Sequence, residues 1–333
     1  MKHANVAIFV PHNGCPHQCS FCNQRSITGQ QTQPDPQDVL AAVQIAKSSM
    51  GEQTHGAEIA FFGGSFTAIE RGYMCALLQA AAPFVKDHTF AGIRISTRPD
   101  AIDSEILSLL KEYGVTSIEL GAQSMDDSVL TLNQRGHTAE QVREASKKIQ
   151  SYGFSLGLQM MTGLYGDTPN GARETARQLA ALHPDTVRIY PTITMRGTDL
   201  AEKYQSGVYQ PMPLEDTVAL CADLLDFFEK QQIKVIRLGL HSTPELERDM
   251  LAGPWHPAFR ELCDSRRIMN RILAYCKEHR VPQGEITVYV NPACISKAVG
   301  QSKSNLKKLR ELGYTAQVKP DVALNDLEFY IKA

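Results

Sequence analysis

Gly14-Cys15-Pro16-His17-Gln18-Cys19-Ser20-Phe21-Cys22-Asn23 places three cysteines within eight residues, directly after an apolar, strand-like run at 5–11 (NVAIFVP). Thiolates on one tight loop converge on a single inorganic centre. A cubane iron–sulfur cluster ordinarily takes four cysteines, one per iron, so three leave one iron open to a non-protein ligand. The same cysteines with His12 or His17 also suit tetrahedral zinc, and free thiols are a third reading. The other five cysteines (Cys75, Cys221, Cys263, Cys276, Cys294) are scattered, unlike a secreted disulfide framework. A reducing, cytoplasmic compartment with one metal site is the expectation.

Outward from this loop, short apolar runs alternate with amphipathic stretches. Strands are expected at 57–64, 92–98, 117–123, 154–161, 186–193 and 233–241, several of them continuously apolar or small, as parallel strands covered on both faces are. Helix starts are legible at Asp35-Pro36, at Asp103, at Thr138 with Gln141 in capping-box spacing, and at Thr168-Pro169. Repeated β–α order with right-handed crossovers predicts a parallel sheet, and six or seven units an open, partial (β/α)6 barrel. After about residue 245 the rhythm changes. The sequence divides into a core at 1–245, a helical connector at 246–284 and a small α+β domain at 285–333 with βααβ order.

The bulk numbers exclude little else. The 333 residues are 43% apolar and 21% charged, ordinary for a globular protein. No apolar run reaches the ~18 residues a membrane span needs, so no membrane partner is expected. A net charge of −2 gives no global electrostatic reason for nucleic-acid binding.

The C-x3-C-x2-C spacing, with Phe21 just before the last cysteine, resembles the signature of the radical S-adenosylmethionine superfamily. That resemblance implies a [4Fe-4S] cluster on Cys15, Cys19 and Cys22, with S-adenosylmethionine chelating the open iron. It also implies one-electron reduction by a donor such as flavodoxin or ferredoxin, and a 5′-deoxyadenosyl radical that abstracts hydrogen from a substrate. Gly63, Gly64 and Ser65 stand at the family's glycine-rich contact to the methionine amino group, with Ser65 where an acidic residue is usual. Further candidates sit at strand ends, where barrel-like folds collect ligands. The pattern resembles the branch containing the Elongator catalytic subunit and oxygen-independent coproporphyrinogen oxidase. By position in that branch, Thr97 or Arg98 faces the ribose, Gln123 the nucleoside and Arg135 the methionine carboxylate. Gln159 is a further strand-end candidate, and His241 and Tyr190 are candidates to face substrate. The Elongator subunit also carries an acetyltransferase domain; its acetyl-CoA chemistry is not expected here.

The segment from Ile295 to Leu309 resembles the helix–loop–helix of a KH domain, a module that clamps nucleic-acid backbone with a G-x-x-G loop. The loop here reads Gly300-Gln301-Ser302-Lys303, without the second glycine. Residues 296–319 hold six Lys or Arg against one acid, Glu311, a local surplus that attracts phosphate and makes RNA a candidate partner. The substrate is either RNA or a small metabolite or tetrapyrrole. A non-catalytic metal-binding or redox-sensing protein is the remaining reading.

Overall fold

The computed structural model describes residues 4–11, 19–23 and 32–333. Cys15 therefore lies outside the described residues, whereas Cys19 and Cys22 lie within them. Among these residues the chain forms two compact units, one of residues 1–212 and 228–254, the other of residues 213–227 and 255–333.

The first unit is built on seven parallel strands: β1 (Ala4–Val10), β2 (Ala57–Gly63), β3 (Gly92–Thr97), β4 (Val115–Gln123), β5 (Ser155–Thr162), β6 (Thr186–Pro191) and β8 (Lys234–Leu238). They pair in the order β1-β2-β3-β4-β5-β6-β8. A doubly wound sheet would reverse direction at a switch point. This one runs in sequence order from end to end, and β1 and β8 are not paired with each other. That is an open barrel sector of seven strands, in the α/β class the sequence implies.

The helices between strands begin where the capping chemistry puts them. Asp35 accepts from the backbone N–H of Gln37 and Asp38 ahead of α1 (Pro36–Met50), whose proline sits in the first turn. After α2 (Arg71–Lys86), Asp103 caps α3 (Ser104–Glu112). Following α4 (Asp127–Leu132), Thr138 and Gln141 make a reciprocal capping box at α5 (Ala139–Ser151). Thr168 caps α6 (Pro169–Ala180), and α7 (Asp199–Gln205) follows a two-residue strand, β7 (Thr194–Met195). The outer layer packs on Ile59, Phe61, Ile93, Ile95, Ile118 and Leu120, all fully buried, with Phe61 stacked on Phe66 at 4.7 Å.

In the second unit, α10 (Phe259–Glu278) supplies Ile268, Met269, Ile272 and Cys276 to one core with Ile286, Val288 and Val290 of β10 (Gly284–Val290). Most of the segment read as a connector is thus core to this unit. β11 (Tyr314–Pro320) pairs parallel to β10 on one side, and β12 (Phe329–Lys332) pairs antiparallel on the other. Between β10 and β11 run two short helices, at Ile295–Val299 and Ser304–Glu311, separated by the Gly300–Lys303 loop. The expected βααβ order is present. In the second of these helices Leu309 is buried and Leu306 half-buried, and Leu312 just beyond its end is exposed, so the leucine stripe only partly faces the core.

Gly300 cannot carry a side chain: its φ is +77°, and a Cβ there would lie 2.4 Å from Ser304 Oγ and 2.8 Å from Asn305 N. Gly300→Ala is therefore expected to destabilise the second unit by about 1–3 kcal/mol, the usual cost of enforced backbone strain. Urea denaturation of the two proteins checks it, with an unchanged midpoint counting against the requirement.

Candidate functional site

The concave face of the first unit's sheet is polar. Glu58 on β2, Arg94 on β3, Glu119 on β4 and Arg188 on β6 form a continuous ladder. Arg94 Nε donates to Glu58 at 2.7 Å and its Nη1 to Glu119 at 3.2 Å. Arg188 grips Glu119 through Nε at 2.6 Å and Nη2 at 2.8 Å. Side-chain exposures of 7, 5, 1 and 14% for Glu58, Arg94, Glu119 and Arg188 show that these charges are out of water. Two acids and two guanidiniums balance, and the remaining lone pairs are filled. Ser117 Oγ donates to Glu58 at 2.7 Å, and Gln159 Nε2 donates to Glu119 at 2.9 Å and to Ser96 Oγ at 3.3 Å.

Beside this ladder opens a cavity of about 670 Å³. Of the candidate residues it gathers Phe21, Cys22, Gly63, Gln123 and Gln159, with His241 and Tyr190. Asn5, Ser96, Arg188 and Arg237 line it as well, unforeseen from the sequence. Their signal was nonetheless present: charged and amide residues at alternate positions inside otherwise apolar parallel strands mark one polar face.

The cysteine loop is fastened to the rest of the unit. Ser20 N–H donates to Asn133 O at 3.1 Å, Ser20 Oγ to Asn133 Oδ1 at 2.9 Å, and Leu200 N–H to Ser20 O at 2.7 Å. Cys22 N–H closes a turn on Cys19 O at 3.0 Å. Around it Phe21, Val129, Leu164, Leu200 and Tyr209 pack with Cys19 as an apolar cluster. Arg135 Nη1 donates to Cys19 Sγ at 3.0 Å and Nη2 to Gly121 O at 2.7 Å, while Arg135 Nε has no partner among the described residues.

These features fit a cluster with an organic ligand. Neither Cys19 nor Cys22 forms a disulfide among the described residues, and Cys22 lines the cavity. Asn5 Oδ1 and Gln123 Oε1, on residues lining the cavity, are buried acceptors without a partner among the described residues. Gln123 holds φ +65° beyond a register shift at the end of β4, a bulge that re-aims a side chain. Gly63, at φ +107°, sits where a Cβ would lie 3.1 Å from Val10 O, so β1 and the cavity rim close over a bare backbone.

Other candidates lie outside the cavity lining. Thr97 is buried and shares a hydrogen bond of 2.6 Å with Thr67 Oγ1. Arg98 is buried, paired with Asp100, and donates to Arg135 O at 3.0 Å. Ser65 is buried and Gly64 N–H donates to Val10 O at 2.7 Å. Cys276 belongs to the second unit's core and His279 stacks on Tyr275 at 4.0 Å.

Two groups next to this region, buried His137 and half-buried Asp167, have shifted pKa values. Burial, reinforced by Arg135, pushes the His137 imidazole down to about 4. Burial pushes the Asp167 carboxyl up to about 6.

Residues 9–179 match the family described as the Radical SAM superfamily, and residues 184–271 a Radical_SAM C-terminal domain. A tRNA uridine(34) acetyltransferase of Dehalococcoides mccartyi is 27% identical over 66% of this chain and 55% of its own length. Human Elongator complex protein 3 is 30% identical over 53% of this chain and 36% of its own. The chain spans about half the length of the curated relatives it matches most strongly. Among solved structures, the archaeal Methanocaldococcus infernus Elp3 superposes with a TM-score of 0.61 at 19% identity, over 85% of this chain and 66% of that one, a likeness of fold.

Glu119→Gln removes the acid that holds two guanidiniums, and breaking a buried ion pair this way is expected to cost about 3–5 kcal/mol, read as a shift in the denaturation midpoint. A second expectation concerns pH. His137 is depressed in the folded state, so between pH 6.5 and 4 the unfolded chain binds the extra proton. Its contribution to stability is intact above pH 6.5 and is lost progressively towards pH 4. Asp167, raised in the folded state, acts oppositely, its contribution fading as pH rises from 3.8 to about 6. Relative to wild type, His137→Gln should flatten or reverse the rise of stability with pH in this window and Asp167→Asn should steepen it. Parallel curves for all three proteins would contradict both assignments.

Proposed function

The chain belongs to the radical S-adenosylmethionine superfamily, whose cofactors are a [4Fe-4S] cluster and S-adenosylmethionine, and from that premise we propose that it modifies RNA, most directly a tRNA. The observation that carries the catalytic part is the cavity: Phe21 and Cys22 of the cysteine loop share one chamber with the polar ends of β4, β5 and β6. When bound, the cluster and its ligand supply reductive cleavage of the sulfonium, yielding methionine and a 5′-deoxyadenosyl radical.

The chain's own residues bind, orient and exclude. Cys15, Cys19 and Cys22 would hold the cluster. The backbone of Gly63, Gly64 and Ser65 would receive the amino group at a rim where the missing Cβ of Gly63 lets β1 approach closely. Arg135, already against Cys19 Sγ with Nε spare, takes the carboxylate. Gln123 Oε1 accepts from the nucleoside. Thr97 and Arg98, held by Thr67 and Asp100, act through the loops they fix. Gln159 serves the chamber through Glu119 and Ser96. The apolar cluster round Cys19 keeps water from the metal.

Two observations support RNA. Relatives carry the name tRNA uridine(34) acetyltransferase. In the second unit Lys303, Lys307 and Arg310 are exposed beside the Gly300 loop, with no acidic partner among the described residues, in the helix–loop–helix that resembles a KH module. The reading places the protein in a reducing cytoplasm, consistent with seven cysteines outside any disulfide among the described residues, and makes flavodoxin or ferredoxin its electron donor. Among the described residues no helix is long and apolar enough to cross a membrane.

Anaerobic reconstitution followed by dithionite reduction tests the chemistry. Wild type should be brown and release 5′-deoxyadenosine, and Cys19→Ala should lose more of that release than the roughly 10–100-fold that loss of an outer-shell partner costs. A colourless zinc protein would end the reading. The RNA part is tested by K303E/K307E/R310E, because α10 shares a core with residues 284–331 and a truncation at 285 would unfold the unit. The triple variant should keep S-adenosylmethionine cleavage and lose tRNA affinity by tenfold or more at low salt. Equal tRNA affinity would favour a small substrate.

A further inference from the structure

Arg188 and Arg237 are register partners on the neighbouring strands β6 and β8, and both line the cavity. Their situations differ. Arg188 is neutralised by two bonds to Glu119 and lies 4.9 Å over the Phe62 ring. Arg237 spends only Nε, on Gly239 O at 2.8 Å, and no carboxylate pairs with it among the described residues. Residues 1–3, 12–18 and 24–31 contain no Asp or Glu to do so. The ladder of two acids and two arginines is balanced without it, so Arg237 is the surplus charge of the chamber.

Its surroundings make that surplus costly. Phe9, Phe62, Met161, Ile193 and Leu240 line the same cavity. Burial, with Arg188 close by, lowers the Arg237 guanidinium from its ordinary range. His241 is largely exposed, and its partial burial together with the two arginines lowers its imidazole pKa from the ordinary 6.5. Tyr190 is raised by burial and stays a phenol. A cation, a neutral imidazole and a phenol thus share one partly dry chamber. A half-desolvated guanidinium without a counter-ion is unfavourable unless the occupant brings negative charge, and its fork fits carboxylate and phosphate oxygens.

We propose that Arg237, with Tyr190 and His241, forms an anion subsite in this cavity that binds a carboxylate or phosphate group of the substrate. The subsite rests on the preceding functional reading only in taking the cavity as the reaction chamber. It is separate from the methionine carboxylate, for which Arg135 stands beside Cys19. The residue is a specificity determinant: it sets where the substrate's charged end lies and so which part of it faces the cysteine loop.

The test uses the full chain, reconstituted anaerobically and loaded with S-adenosylmethionine. Inorganic phosphate and glutarate are titrated by calorimetry into wild type, Arg237→Gln and Arg237→Lys, and S-adenosylmethionine is titrated separately into each cluster-loaded protein. At least one anion should bind wild type, bind Arg237→Gln at least tenfold more weakly, and bind Arg237→Lys with intermediate affinity. S-adenosylmethionine should bind all three within about twofold. Preference for phosphate assigns a phosphate group, such as that of a nucleotide; preference for glutarate assigns a carboxylate. Absence of anion binding in wild type, equal binding by Arg237→Gln, or a parallel loss of S-adenosylmethionine affinity would each overturn the subsite. Melting curves of the variants separate misfolding from loss of charge, and Arg237→Lys supplies a folded comparison that keeps the charge. The two readings fail separately. A protein that binds the anion through Arg237 and releases no 5′-deoxyadenosine defeats the radical chemistry and leaves the subsite standing.

Discussion

The first unit depends on the buried bond between Glu119 and its two arginines. A closed eight-stranded barrel fills its interior with layers of branched apolar side chains and becomes a packed core. Seven strands that do not close leave an inner face that must be covered by something. Here the covering is electrostatic: one acid on the central strand β4 is held by guanidiniums from β3 and β6 and by the amide of Gln159 on β5. Taking such charges from water is expensive, and only complete pairing with filled lone pairs offsets it. The ladder therefore ties four strands at fixed spacing while keeping the chamber beside it polar.

That neutrality also decides where chemistry is possible. Because the ladder consumes its own charges, the groups left to meet a ligand among the described residues are those outside it: Asn5 Oδ1, Gln123 Oε1, Arg135 Nε and the outer nitrogens of Arg237. They are few, as in most small-molecule sites, where a mainly apolar lining carries a handful of orienting polar atoms.

Much of the scaffold was legible in the sequence because local rules govern it. Asp35-Pro36, Asp103, Thr138 with Gln141 and Thr168-Pro169 cap helices as their side-chain oxygens dictate. The seven strands fall within a few residues of their expected places, since continuous apolar runs have no other way to be buried from both sides. The ladder was not legible. Glu58, Arg94, Glu119 and Arg188 are far apart in sequence, and only parallel register brings them together. For the same reason the burial of Thr97 and Arg98 against Thr67 and Asp100 could not be seen from strand-end position alone. Nor does composition distinguish a helix that connects from one that packs, as α10 does.

The 121–123 bulge shows how tightly scaffold and site share residues. Gly121 O accepts from Arg135, and a Cβ on Gly121 would lie 3.0 Å from Gln123 Nε2 and 3.4 Å from Arg135 Nη2. Ala122 O meets His137 Nε2 at 3.2 Å, which fixes that nitrogen as the protonated one in the neutral ring. A charged imidazole there would face Arg135, so the ring's low pKa and the arginine's position beside Cys19 are two sides of one constraint. One strand end thereby holds the arginine against the sulfur, the glutamine at the chamber and the histidine without charge. A change in the backbone at 121–123 therefore disturbs all three placements at once.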